Sequence, residues 1–236
     1  DTSIAGLRLG SLDPLELTPG LRALMLEEPR LRPHAHVSVQ SPHAEVLKRM
    51  NRRYDADDVA RTLRELDVLG SRLADAHGLV GGVFAGMDLI TGFPGETEAD
   101  FDWTMARLAE LPWNRLHVFP YSEREGTAAT RLEGSVPPAE RKRRVRALRG
   151  LSDARAVSRA QALVATGEPV QVLVERPAPG RPGWVQGHTP NYYLTAFPAP
   201  DPASLRNRSV RVRPHDVELM TPAGDARILA APPSAM

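Results

Sequence analysis

Apolar and polar residues alternate along this chain with two periods, one near two residues and one near 3.6, and the switches between them mark the elements. Leu7 to Leu12 alternates like a short strand and ends at Asp13-Pro14. Thr18-Pro19 starts a helix by the N-cap and N1 preferences, with Leu21, Leu24 and Met25 inward, and Pro29 ends it. His34 to Ser41 is the next strand. Ala44 to Tyr54 reads as a helix with Val46, Leu47 and Met50 inward. Asp55, with Asp58 as its partner, caps a longer helix in which Val59, Leu63, Leu66 and Leu73 keep helical spacing to about Ala76. Gly78 to Gly86 is a glycine-rich approach to another strand, and it does not spell a dinucleotide fingerprint.

The stretch Asp88 to Phe101 organises the rest. Met87 to Thr91 is short and largely apolar, as a strand buried on both faces should be. Gly92 and Gly95 flank Phe93-Pro94 in a tight turn, and Thr97 with Asp100 predicts a capped helix start. A strand whose carboxyl end opens onto backbone N–H groups beside a helix N-terminus is where ligands bind in parallel α/β folds. Leu116 to Pro120 is a further strand, and Glu123 to Pro138 a loop. Pro138 then opens a basic helix over roughly Ala139 to Val164.

From Glu168 the texture changes. Gln171 to Glu175, Gly183 to Gly187, Tyr192 to Phe197 and Ser209 to Arg213 are short strand candidates separated by proline and glycine, which reads as a small β-barrel or sandwich. Residues from about Pro222 read as a frayed tail. The domain reading is therefore 1–136, an α/β part with parallel βαβ units; 137–167, a basic linking helix; 168–220, a small all-β domain; and 221–236, a tail. Four strands cannot close an eight-stranded barrel, so the sheet is open or lacks its first strands. The chain starts at Asp1 without Met, which suggests a piece of a longer protein.

Composition changes the picture in three places. Cysteine is absent, which excludes disulfides, thiolate chemistry and a cysteine-ligated iron–sulfur cluster within these residues, and fits a cytoplasmic protein. No apolar run suggests a membrane helix. Charge is uneven: residues 131–236 hold 16 Lys/Arg against 9 Asp/Glu, and residues 1–130 hold 14 against 20. The surplus of cations in the C-terminal part, clustered in Arg141-Lys142-Arg143-Arg144-Val145-Arg146, points to a polyanionic partner.

Four strand ends carry the candidate chemistry. Ser11, Gln40 and Ser41 offer polar side chains, Gly92 to Gly95 a close backbone approach, and Tyr121 and Ser122 a polar end after an apolar strand. Arg49 and Arg52 are equal candidates to pair with a carboxylate. Arg141, Arg143 and Arg144 are candidates for phosphate, and Tyr192 and Tyr193 for base stacking, although adjacent strand residues point to opposite faces. His34 and His36 alternate to one face of a strand, and an H-x-H pair is also a metal-ligand arrangement, the basis of a competing reading as a metal-dependent hydrolase.

Taken together, the segments Pro33 to Ser41, Val46 to Tyr54, Gly92-Phe93-Pro94-Gly95-Glu96-Thr97-Glu98 and His117-Val118-Phe119-Pro120-Tyr121-Ser122 resemble the radical S-adenosylmethionine methylthiotransferases. The order and spacing match. Gly187-His188-Thr189-Pro190-Asn191-Tyr192 resembles the RNA-binding TRAM domain of that family. The wording Val-Phe-Pro-Tyr-Ser is most similar to the branch that acts on N6-threonylcarbamoyladenosine in tRNA, ahead of the isopentenyladenosine and ribosomal-protein branches. The resemblance implies the C-terminal part of a partial (βα)6 radical-SAM barrel followed by a small, OB-like TRAM barrel. It implies methylthio transfer to C2 of the modified adenosine, with S-adenosylmethionine and two [4Fe–4S] clusters as cofactors and tRNA as partner. It places Ser11, Gln40, Ser41, Arg49, Arg52, Gly92, Phe93, Pro94 and Gly95 toward the cofactor. Tyr121, Ser122, Arg141, Arg143, Arg144, His188, Asn191, Tyr192 and Tyr193 fall toward the substrate. The family's cluster cysteines have no counterpart here, so this chain alone is expected to be inactive. A cluster-free RNA-binding module is the alternative.

Overall fold

A computed structural model describes residues 3–220 and 225–233. Four parallel strands form the first sheet: β1 (Ser11–Leu12), β2 (His34–Gln40), β3 (Phe84–Thr91) and β4 (Arg115–Pro120), in that spatial order. Helices α1 (Pro19–Glu27), α2 (Ala44–Arg49), α3 (Ala56–His77) and α4 (Glu98–Glu110) lie in the connections. Their starts follow local chemistry. Asp55 accepts the N–H groups of Asp57 and Asp58, and Thr97 accepts that of Asp100, each within a reciprocal capping box. Gly78, with φ +64°, ends α3 in the left-handed conformation.

The two faces of this sheet differ. Ala35, Val37 and Val39 of β2, Ala85, Met87 and Leu89 of β3, and Leu116 and Val118 of β4 are buried. They share one core with Leu63 and Leu66 of α3 and with Phe101 and Leu108 of α4. The alternate residues form the other, more open face, which the strand period of two assigns to a single side.

Helix α5 (Pro138–Ala165) joins the parts. Val145 and Leu148 belong to the first core, Ala160 and Leu163 to the second. The second sheet has six strands in the order β8-β5-β6-β7-β10-β9: β5 (Val170–Pro177), β6 (Trp184–His188), β7 (Leu194–Pro198), β8 (Ser209–Val212), β9 (Pro214–Met220) and β10 (Asp225–Ala230). A four-residue helix, α6 (Pro202–Leu205), precedes β8.

Three expectations change. The strand expected over Leu7 to Leu12 is regular only at Ser11–Leu12, with Leu7 bridging Leu31 in parallel. The helix expected over Ala44 to Tyr54 stops at Arg49, because Asn51 takes φ +55° and Tyr54 turns inward to donate to the Ser38 carbonyl at 2.7 Å. The expected tail contains a strand: β10 lies between β7 and β9, with Ile228 and Ala230 fully buried. Arg227, buried against Glu218 and Gln186, breaks the apolar signal there. Residues 221–224 and 234–236 of that expected tail lie outside the described residues.

Candidate functional site

The open face of the parallel sheet carries His34, His36, Ser38 and Gln40 from β2, Phe84, Gly86, Asp88 and Ile90 from β3, and Arg115, His117 and Phe119 from β4. Between this face and the β domain lies a cavity of about 440 Å³. Ser11, His34, His36, His117, His188 and Tyr192 are among its walls, so candidates expected to serve cofactor and substrate meet in one space.

Tyr192 is the centre of an aromatic cluster. Its backbone has φ +69°. Its ring stacks on His188 at 4.5 Å and tilts against His34 at 4.6 Å, and Arg8 sits 4.8 Å from its centroid. Protein side chains thus contact the ring that was expected to receive a base, while Tyr192 as a whole stays 41% exposed. His188 Nδ1 is held 2.8 Å from Glu175. Burial, with Arg8 and the neighbouring histidines, pushes His34 down to about 4, so its ring is neutral near neutral pH.

Asn191 and Tyr193 are buried and fasten the β domain to the α/β part. Asn191 donates to the carbonyls of Val80 and Gly82 at 2.9 and 2.8 Å. The Tyr193 hydroxyl accepts from Asn114 at 3.0 Å and donates to Gly81 at 3.2 Å. Burial pushes this phenol up to about 12. Neither side chain is presented to a polyanion.

The glycine turn is closed rather than open. The buried Glu96 carboxylate folds back to accept the N–H groups of Gly92 and Phe93, the latter at 3.2 Å. Gly95 N–H donates to Gly134 at 2.7 Å, and that of Glu96 to Phe93 at 2.9 Å. The donors expected to meet a ligand thus have internal partners. Both glycines are required by close approaches: a Cβ at Gly92 would overlap the stem of Arg141, and one at Gly95 the guanidinium of Arg49. Arg49 itself donates to the Gly95 carbonyl. Phe93 is buried edge-on against Tyr121 at 5.1 Å.

The basic run is not a single cationic face. Arg141 is buried, donating to the carbonyls of Val136 and Tyr121 at 2.7 and 2.9 Å and pairing with Glu123. Arg144 is 3% exposed and lies 3.4 Å from the Glu96 carboxylate and 3.1 Å from Glu98 and from Glu140. Arg143 is exposed but bound to Glu98 and Glu140. Arg141 and Arg144 share a helical stripe with Val145 and Leu148, so the fold takes them inward. Lys142 and Arg146 of the run stay exposed, and further exposed arginines lie on the β domain, at Arg206, Arg208 and Arg211 in and beside the edge strand β8.

The remaining candidates are placed as follows. Gln40 ends β2 with φ +61°, and the buried Ser41 accepts the His43 N–H at 3.1 Å. Arg52 and Ser122 are exposed. Among the described residues the buried Tyr121 hydroxyl has no hydrogen-bond partner. Sequence reasoning did not combine His36 with Asp88 and His117, which the sheet brings together. Open-face alternation on each strand is the signal for them, but strand register is needed to join the three. No cysteine exists to ligate an iron–sulfur cluster, so the residues present do not fit that group.

No family model matches the chain. It is 33% identical over 207 residues to a tRNA-2-methylthio-N(6)-dimethylallyladenosine synthase of Moorella thermoacetica, across 88% of this chain and 44% of that protein. A protein of the same description from Desulfitobacterium hafniense is 32% identical over 228 residues, across 95% and 48%. The threonylcarbamoyladenosine tRNA methylthiotransferase MtaB of Thermotoga maritima is 36% identical over 143 residues, across 61% and 31%. The chain thus spans about half the length, or less, of these curated relatives. Among solved structures, the radical SAM enzyme coproporphyrinogen III oxidase (HemN) of Escherichia coli superposes with a TM-score of 0.51 over 72% of this chain and 39% of that one, at 20% identity, a likeness of fold. By sequence, then, this chain is a relative of the tRNA methylthiotransferases.

Proposed function

We propose that the chain is the tRNA-handling part of a methylthiotransferase acting on N6-threonylcarbamoyladenosine, the parent protein adding a methylthio group to C2 by radical S-adenosylmethionine chemistry. One observation carries this reading: relatives at 32–36% identity, whose names all specify methylthio modification of tRNA adenosine, align over most of the chain or a long part of it. The threonylcarbamoyl branch is supported by His117 to Ser122 and by the 36% identity to MtaB. A second reading, action on isopentenyladenosine, is favoured by the longer alignments, over 88% and 95% of the chain, to the dimethylallyladenosine synthases.

No chemical step is assigned to a cluster, because no residue here fits one. We assign the chain's contacts to S-adenosylmethionine to Ser11, Gln40 and Arg52, side chains at or beside the strand ends, and not to the closed glycine turn. Arg52 supplies a guanidinium for a carboxylate. The phosphate contacts fall to the exposed arginines around β8. We take residues 168–233, including β10, as the RNA-binding TRAM-like unit. No helix is long and apolar enough to cross a membrane among the described residues, and the cytoplasm is the compartment this function implies.

Competition binding tests the branch. Anticodon stem–loops carrying threonylcarbamoyladenosine, isopentenyladenosine or plain adenosine displace a labelled tRNA from the chain. The threonylcarbamoyl stem–loop is expected to compete best, by at least about tenfold, a difference of about 1.4 kcal/mol. Preference for the isopentenyl stem–loop selects the second reading, and equal competition by all three contradicts both.

A further inference from the structure

The open face holds a cluster that the tRNA reading does not use. His36 of β2, Asp88 of β3 and His117 of β4 each present a ligand atom, and these atoms lie within 4.8 Å of one another. The register explains the convergence. Asp88 pairs directly with His117, while His36 pairs with Gly86, two residues before Asp88 and on the same face. Gly86 has no side chain to block the ring: a Cβ there would lie 3.1 Å from His36 Nδ1.

The distances suit an ion. His36 Nε2 is 2.9 Å from Asp88 Oδ1, His117 Nδ1 is 3.8 Å from the same oxygen, and the two imidazole centroids are 4.9 Å apart. Bonds of about 2.0–2.2 Å to nitrogen and carboxylate oxygen place neighbouring ligands about 3 Å apart around one metal. His117, 53% exposed, has room to turn toward that spacing. Two imidazoles and one carboxylate on one side of an ion are the donor set of catalytic zinc sites and of non-haem iron(II) sites, which leave positions open. Two of the three, His36 and His117, also line the cavity shared with His188 and Tyr192. His34 is excluded from the set, since it is buried against Phe84 and Tyr192.

We propose that His36, Asp88 and His117 form a mononuclear site for a divalent transition-metal ion of the zinc(II)/iron(II) class, open to the cavity on the far side. The site is independent of any cysteine-ligated cluster, and its three ligands stand on adjacent strands of one rigid sheet, which pre-organises them.

The test uses metal-freed protein titrated with Zn²⁺ alone by calorimetry, and with Co²⁺ followed by its visible ligand-field spectrum. One ion per chain is expected, with a Co²⁺ spectrum of low-symmetry nitrogen and oxygen ligation and no iron–sulfur absorbance. Asp88→Asn and His117→Ala are each expected to weaken Zn²⁺ by more than about tenfold, whereas His188→Ala, on the same cavity, leaves it unchanged. Circular dichroism checks that each variant is folded. His117 is exposed, so His117→Ala keeps the test decisive even if Asp88→Asn fails to fold. Absence of stoichiometric Zn²⁺ binding by the parent, or undiminished binding by folded His117→Ala, overturns the proposal. Neither result bears on tRNA binding.

Discussion

Replacing Arg144 by Met is expected to destabilise the protein by about 3–5 kcal/mol, the cost of leaving a buried carboxylate without its cation. Arg144 is 3% exposed and Glu96 7%. The guanidinium bonds the Glu96 carbonyl at 3.1 Å and stands 3.4 Å from its carboxylate, which in turn holds the N–H groups of the glycine turn. Loss of the cation therefore loosens the turn as well as the helix. Burial pushes the Glu96 carboxyl above its ordinary value, against the opposing pull of the Gly92 N–H and Arg144. A carboxyl raised in the folded state contributes stability that is full below its unfolded value and is lost as pH rises through the folded one. Removing Arg144 raises it further, so the deficit of the variant should grow from acid to neutral pH. Urea unfolding of parent and variant across that range measures it. Adding Glu96→Gln to Arg144→Met should recover part of the loss, and Arg143→Ala, at an exposed position, should change little. A deficit that is flat with pH contradicts the assignment to Glu96.

Gly187→Ala is expected to cost about 3 kcal/mol, the upper end of the usual cost of overpacking, because backbone meets backbone. Gly187 pairs with Val174 between β6 and β5, next to a register shift between Val174 and Arg176. A Cβ at Gly187 would overlap the Leu173 carbonyl oxygen, and would lie 2.7 Å from its carbon and 3.0 Å from Val174 Cα. Backbone atoms cannot rotate away as a side chain can, so β5 must move off β6 and the ladder must break. Gly150→Ala is the control. Nothing lies within 4 Å of a Cβ there, and Gly150 sits inside α5, so alanine should stabilise by about 0.5–1 kcal/mol. Denaturant midpoints at unchanged slope distinguish the two. A neutral Gly187→Ala contradicts the close approach.

Much of the frame was legible because local chemistry and tertiary packing agree in it. Asp55 and Thr97 start helices by the same capping pairs the sequence shows, and α5 runs almost where its proline and helical spacing put it. The site was less legible, for three physical reasons. A run of arginines says how much charge is present, and the helical stripe decides which members point inward; Arg141 and Arg144, three apart and in line with Val145 and Leu148, point in. A glycine turn offers N–H donors, but a carboxylate a few residues on can take them first, as Glu96 does. Strand alternation puts His36, Asp88 and His117 on open faces, yet only the pairing of three strands brings them together. The strand β10 was hidden by Arg227, a buried charge satisfied by Glu218 of the adjacent β9 and by Gln186 of β6.

If the chain handles tRNA as proposed, the salt dependence of its affinity must show it. Fluorescence anisotropy with a threonylcarbamoyladenosine stem–loop over a range of KCl gives log K against log salt for the parent and for the Arg206→Ala, Arg208→Ala, Arg211→Ala triple variant. Saturable binding with a negative slope is expected, flattened in the variant by about 0.7–0.9 per lost phosphate contact, up to about 2–3 for all three. No binding at any salt concentration, or identical lines for parent and variant, would contradict it.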